Sequence, residues 1–176
     1  MLFRKNIIVL LFFVFFLQSC GFQPLYNMES LSGFIINEPS DKSKSSVIIY
    51  KGLDDALKPI STSDNFIINF SIDEQFEDID IREDEKVLRK NIVISVKFSI
   101  KRENDEEEEI FIGESLISSA YNRVAEPYAN FVNEQDTRDR ILLLIIQDIK
   151  RQLALFKKNQ VKWKERSQIL MISLLN

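Results

Sequence analysis

Between Ile92 and Lys101 the chain alternates without a break: Ile92, Ile94, Val96, Phe98 and Ile100 on one parity, Val93, Ser95, Lys97, Ser99 and Lys101 on the other. A period of two places successive side chains on opposite faces of an extended backbone, so this segment predicts a strand with one dry and one wetter face. A helix would scatter the same residues around its circumference. The chain must therefore build a sheet and cover one side of it.

Other segments supply the rest. Phe66, Ile68, Phe70 and Ile72 alternate in the same way, and Ile110–Tyr121 is a third extended run whose alternation slips at Gly113, where a bulge fits. Gly33–Asn37 is a short first strand, followed by Pro39 and a Ser/Lys-rich turn over Ser40–Ser46. Val47–Leu57 has apolar residues at 49, 50, 53, 56 and 57, which is helical spacing closed by Pro59, although Val47–Tyr50 could also be extended. Acidic tips, Asp73–Glu85 and Glu103–Glu109, are expected to join the strands.

The last element is a long helix over about Asn133–Lys158. Acidic residues lie at its positive start and Lys or Arg near its end. Leu142, Ile145, Ile149, Leu153 and Phe156 form one stripe, while Ile141–Ile146 is apolar all the way round. One face can cover the sheet and Leu143, Leu144 and Ile146 must meet something else. Asn159 and Gln160 interrupt, and 159–176 reads as an amphipathic tail carrying Trp163. The order strand, helix, three strands, helix predicts an α/β (α+β) two-layer sandwich: about four mostly antiparallel strands with two helices on one face, one domain over residues 33–158.

Upstream, Arg4 and Lys5 precede an eleven-residue apolar run, Ile7–Leu17. A bilayer-spanning helix needs about 20 apolar residues, so the run fits a secretory leader better than a permanent span. Leu17-Gln18-Ser19-Cys20-Gly21 resembles a bacterial lipoprotein signal, with residues 1–19 removed and Cys20 acylated by a diacylglycerol and an amide-linked chain such as palmitate. Residues 20–32 then form a lipidated tether. The alternatives are an ordinary secretory signal beside an unrelated cysteine, or an uncleaved anchor. Gly21 rather than Asp after the cysteine favours, by the same resemblance, the outer membrane. Loss of Arg4 and Lys5 leaves 21 basic against 27 acidic residues, a net −6 that argues against nucleic acid as a partner.

Chemistry is restricted by what is missing. The chain has no histidine and one cysteine, which removes imidazole bases and ligands, internal disulfides and thiolate zinc sites. Four glycines include no phosphate-binding loop, and the acidic runs lack the spacing of a calcium loop. They read as solvated tips that keep sheet edges soluble. No catalytic residue, metal or cofactor is expected. Lys97, Lys101, Arg102 and Arg123 are candidates for meeting an acidic ligand.

Cys20-Gly21-Phe22-Gln23-Pro24-Leu25-Tyr26 resembles the mature start of the lipopolysaccharide-assembly lipoproteins of the outer membrane, in their alphaproteobacterial form. The later order, Arg89 leading a strand to Ile100, then Tyr121-Asn122-Arg123, then an Asn/Glu-led helix, is similar too, so the resemblance spans most of Cys20–Phe156. It implies a non-enzymatic, lipid-anchored protein facing the periplasm. Its partners would be a β-barrel lipopolysaccharide translocon, which it plugs and helps assemble, and lipopolysaccharide, whose insertion it assists. Leu143, Leu144 and Ile146 would then face the barrel, and Lys97, Lys101, Arg102 and Arg123 the acidic lipid. Alternative expectations are an auxiliary subunit of another lipid-trafficking transporter, or an anchored hydrolase using carboxylates.

Overall fold

The computed structural model describes residues 31–57, 65–81 and 87–174. The leader, Cys20 and the tether as far as residue 30 lie outside the described residues, as does Pro59.

Six elements follow one another: β1 Phe34–Ile36, α1 Lys44–Asp54, β2 Phe66–Ile81, β3 Val87–Arg102, β4 Asp105–Asn122 and α2 Pro127–Leu174. The strands form one mixed sheet in the order β1-β2-β3-β4, with β1 parallel to β2 and the others antiparallel. The βα-β crossover through α1 makes the parallel pair, and hairpins make the rest. Both helices pack on the same face. This is the α+β sandwich that the period-two segments predict.

Ile68, Ile92, Ile94, Val96, Phe98 and Ile100 supply the dry face of the sheet, and Ile49 and Leu53 of α1 with Ile141, Leu142, Ile145, Ile149 and Leu153 of α2 close over it. At one end Phe156 gathers three rings, with centroids 5.3 Å from Phe66, 5.4 Å from Phe111 and 6.3 Å from Phe34. Gly33 enters β1 with φ 81°, a backbone region that side-chain-bearing residues avoid, and its carbonyl accepts the Phe66 N–H at 2.8 Å.

Several boundaries differ from the sequence expectation. Helix α1 begins at Lys44, inside the expected turn, because Ser43 caps it: Ser43 Oγ accepts the Ser46 N–H at 3.2 Å. Asp41 accepts from the Ser43 N–H at 3.0 Å and from Ser46 Oγ at 2.8 Å, and the Ser43 hydroxyl, the Ser46 hydroxyl and the Ser43 N–H together hold its carboxyl below the usual range. Asp73–Ile81 is strand rather than acidic tip. β2 stays paired to β3 as far as Ile81, and ladder bonds outweigh the weak strand preference of acidic residues. Likewise β4 starts at Asp105, leaving only Glu103 and Asn104 in the turn.

The bulge sits opposite Ile100–Arg102, not at Gly113. Gly113 is in register with Phe98, and a Cβ there would lie 2.3 Å from the Phe98 ring and 2.8 Å from Gln152 Oε1. The slip in alternation comes from Ile110, the extra residue between Glu109 and Phe111. Helix α2 starts six residues before Asn133 and runs through Asn159 and Gln160 to Leu174, since neither residue blocks a helical backbone.

Candidate functional site

Helices cover one side of the sheet only, so the residues of opposite parity form an open face. Ile112 is 69% and Leu116 61% exposed there, beside Ser71, Ser95 and Ser99. Lys97 stands between Ser71 on β2 and Glu114 on β4, and no ion pair engages its ammonium among the described residues. A shallow depression of about 270 Å³ is lined by Lys97, Asn69, Ser71, Ser99 and Ile112. Next to it, a recess of about 450 Å³ at the β1 edge shares Asn69, whose Oδ1 accepts from Asn37 Nδ2 at 2.8 Å. A lysine amid hydroxyls and aliphatics can donate to an anionic group while its stem and Ile112 meet a hydrocarbon portion.

The four predicted cations do not form one site. Lys101 lies on the open face opposite Ile67, about 13 Å along β3 from Lys97, and Arg102 is exposed at the end of the strand. Arg123 is at the other end of the sheet, where its N–H donates to Leu88 O at 2.7 Å. Its neighbour on the register is Arg89, opposite Asn122. Arg89 has the same parity as Lys97 and Lys101, a signal that marks it for the open face.

On the outer side of α2, Leu143 and Leu144 are 57% and 49% exposed, with Leu155 three turns beyond Leu144 at 44%. Ile146 is different: it is buried, and so is not an outward residue. The reason is α1, which packs against the flank of α2 and widens its buried arc. Gly52 permits that approach, since a Cβ there would lie 2.5 Å from Ile146 Cδ1.

A third cluster was not visible in the sequence. Arg138, 13% exposed, donates to Glu74 Oε1 at 2.6 Å and to Glu134 Oε1 at 2.8 Å, and lies 5.6 Å from the centre of the Phe76 ring. Burial pushes its pKa down, but the two carboxylates more than reverse this and raise it. Ser45 Oγ donates to Glu74 and Tyr121 Oη to Glu134, each at 3.1 Å. Burial and the Glu134 carboxylate push the Tyr121 hydroxyl up. The network ties β2, β4 and both helices together, with one guanidinium shared between two carboxylates that the Ser45 and Tyr121 hydroxyls also satisfy. Ahead of it Tyr128 and Phe131, 79% and 58% exposed, ride on a helix start fixed by Asn130, which exchanges two 2.8 Å hydrogen bonds with the Val124 backbone. Among the described residues no three His, Cys, Asp or Glu side chains are grouped to hold a metal ion.

No protein-family model and no curated protein matches the chain. Solved structures do. A Caulobacter crescentus protein described as a lipoprotein is 21% identical, with a TM-score of 0.54 over 76% of this chain and 94% of that one. The minor lipoprotein of Acinetobacter baumannii is 11% identical, with a TM-score of 0.56 over 73% and 93% of the two chains. Rare lipoprotein B of Shewanella oneidensis is 10% identical, with a TM-score of 0.51 over 76% and 98%. The chain has the fold of these bacterial lipoproteins.

Proposed function

We propose that the protein is an outer-membrane lipoprotein, anchored through acylated Cys20 and facing the periplasm, that plugs and helps assemble the β-barrel lipopolysaccharide translocon. In this reading it also assists lipopolysaccharide insertion into the outer leaflet and performs no catalysis. The reading is carried by one observation. A core already closed on one side of α2 leaves Leu143, Leu144 and Leu155 outward on a single helix. A plug needs such a second apolar surface, and completing the burial of each leucine contributes roughly 1 kcal/mol at about 25 cal/mol per Å². The leader-like stretch before Cys20, the CGFQPLY start and the shared lipoprotein fold support the same conclusion.

The open face suits the second part of the role. Lys97 and Lys101 offer charge-assisted donors to phosphate or carboxylate, next to exposed Ile112 and Leu116. Arg102 follows Lys101 at the end of β3, whereas Arg123 with Arg89 would make a separate contact at the other end of the sheet.

The test is recovery of the tagged, acylated protein from outer membranes in mild detergent, with mass spectrometry of what accompanies it. A large β-barrel in about equal amount is expected, and L143S/L144S should reduce its recovery. Recovery of only periplasmic or inner-membrane proteins overturns the plug reading. Absence of labelled palmitate from the protein, with Cys20→Ser making no difference, overturns the anchor.

A further inference from the structure

Helix α2 does not stop where the sheet stops. Phe156 packs on Phe66, which is paired with Arg102, the last residue of β3, so Phe156 marks the end of the sheet. The helix then continues to Leu174, 18 residues or about 27 Å beyond. This extension holds five of the chain's 23 basic residues, Lys157, Lys158, Lys162, Lys164 and Arg166, but only one of its 27 acidic residues, Glu165. The rest of the chain carries 18 basic against 26 acidic residues. On the helical backbone Trp163, Leu170 and Leu174 share one face with Met171 beside them, while Val161, Ile169 and Ile172 fall towards the opposite side. Lys162 and Arg166 fall on one flank of that face and Lys164 on the other.

Where the extension departs is equally informative. Lys157 Nζ donates to the Ser32 carbonyl at 2.5 Å and to Ser32 Oγ at 2.8 Å, so the last residues before β1 are fastened to the root of the extension. Buried Leu31 lies only eleven positions after Cys20. Such a segment reaches at most about 36–40 Å, and so a bilayer holding Cys20 is within range of a helix that leaves the body at the same place. No helix among the described residues is long and apolar enough to cross a membrane. A basic helix with an apolar stripe instead lies in the interface.

We infer that residues 158–174 form a second membrane contact, an interfacial helix that docks on an anionic phospholipid surface beside the lipid anchor. The placement beside the anchor rests on the reading of Cys20, whereas binding by the helix does not. The acidic β3–β4 turn at this end of the sheet would be repelled by the same surface. The helix therefore meets it alone and holds the sheet clear. Two attachments, the acyl chains and a basic helix, would fix the orientation of the body over the membrane where a flexible tether alone leaves it free.

Trp163 is the chain's one tryptophan, so its fluorescence reports on the extension alone. The whole chain from Gly21, made without acyl chains, is titrated with vesicles of phosphatidylethanolamine and phosphatidylglycerol, and with neutral phosphatidylcholine vesicles. Expected is a blue shift with the anionic vesicles only, weakened by salt. K162Q/K164Q/R166Q should lower the affinity roughly a hundred-fold, at about 1 kcal/mol per basic residue near the surface. K162R/K164R/R166K keeps the charge and should keep the binding. No shift, an equal shift with neutral vesicles, equal loss in both triple variants, or a shift produced by the solubilised barrel but not by lipid overturns the inference. Failure of palmitate labelling at Cys20 with vesicle binding intact would remove the anchor and leave the helix.

Discussion

Gly113→Ala tests how the sheet and α2 are fitted together. The added Cβ would stand 2.3 Å from Phe98 Cζ and 2.6 Å from Cε1, whereas ordinary contact begins at 3.4 Å, so the ring must retreat by about 1 Å. Phe98 is buried and its ring has Phe111 at 6.0 Å, while Gln152 blocks the side towards α2 with its amide fixed to Glu114 O at 2.9 Å. Overpacking of this kind costs about 1–3 kcal/mol. Loss of glycine's freedom in the unfolded chain returns up to about 1 kcal/mol. A net loss of about 1–2 kcal/mol is expected, equivalent to a fall in Tm of roughly 2–8 °C for a domain of this size. Urea unfolding should show a lower midpoint with an unchanged slope. Phe98→Leu, whose side chain is shorter, should cost less in the Gly113→Ala background than in the parent, with a coupling of about 1 kcal/mol. A Gly113→Ala protein as stable as the parent, or strict additivity with Phe98→Leu, would refute the close-approach argument.

Other expectations follow from the same contacts. Arg138→Met leaves Glu74 half-buried without its partner and should cost about 2–3 kcal/mol, most of it recovered in E74Q/R138M, as a urea double-mutant cycle would measure. Ile146→Ala opens a cavity beneath Gly52 and should lose about 2–4 kcal/mol, while Leu143→Ala, on the outer face, stays within about 0.5 kcal/mol by the same assay. Tyr121 has a folded pKa raised above 10.0, so its contribution is complete below that pH and is lost as pH rises through the folded value. Tyr121→Phe should flatten that alkaline decline in pH-resolved unfolding midpoints. Burial raises the Asp148 carboxyl, but Gln152, Ser115 and Arg151 outweigh this and hold it below 3.8. Its contribution is therefore present above that pH and lost as pH falls through the folded value, and Asp148→Asn should reduce the acid-side slope.

The alternation of Ile92–Ile100 and the stripe Leu142–Phe156 determine by themselves that there is a sheet with one dry face and a helix to cover it, because period and face are tied by backbone geometry. The same alternation placed Lys97 and Lys101 on the uncovered side. Arg89 is legible in the same way. Ile146 was not legible, because which side of an all-apolar turn is buried depends on a second helix and on how closely Gly52 lets it come. Nor could local sequence extend β2 through Asp73–Ile81, since the preference of those residues is overridden by a partner strand distant in the chain. The network of Glu74, Arg138, Glu134 and Tyr121 joins residues up to 64 positions apart, which no local pattern announces. Local periodicity selected the elements and their faces; long-range packing alone decided their lengths, their close approaches and which apolar surfaces stayed exposed.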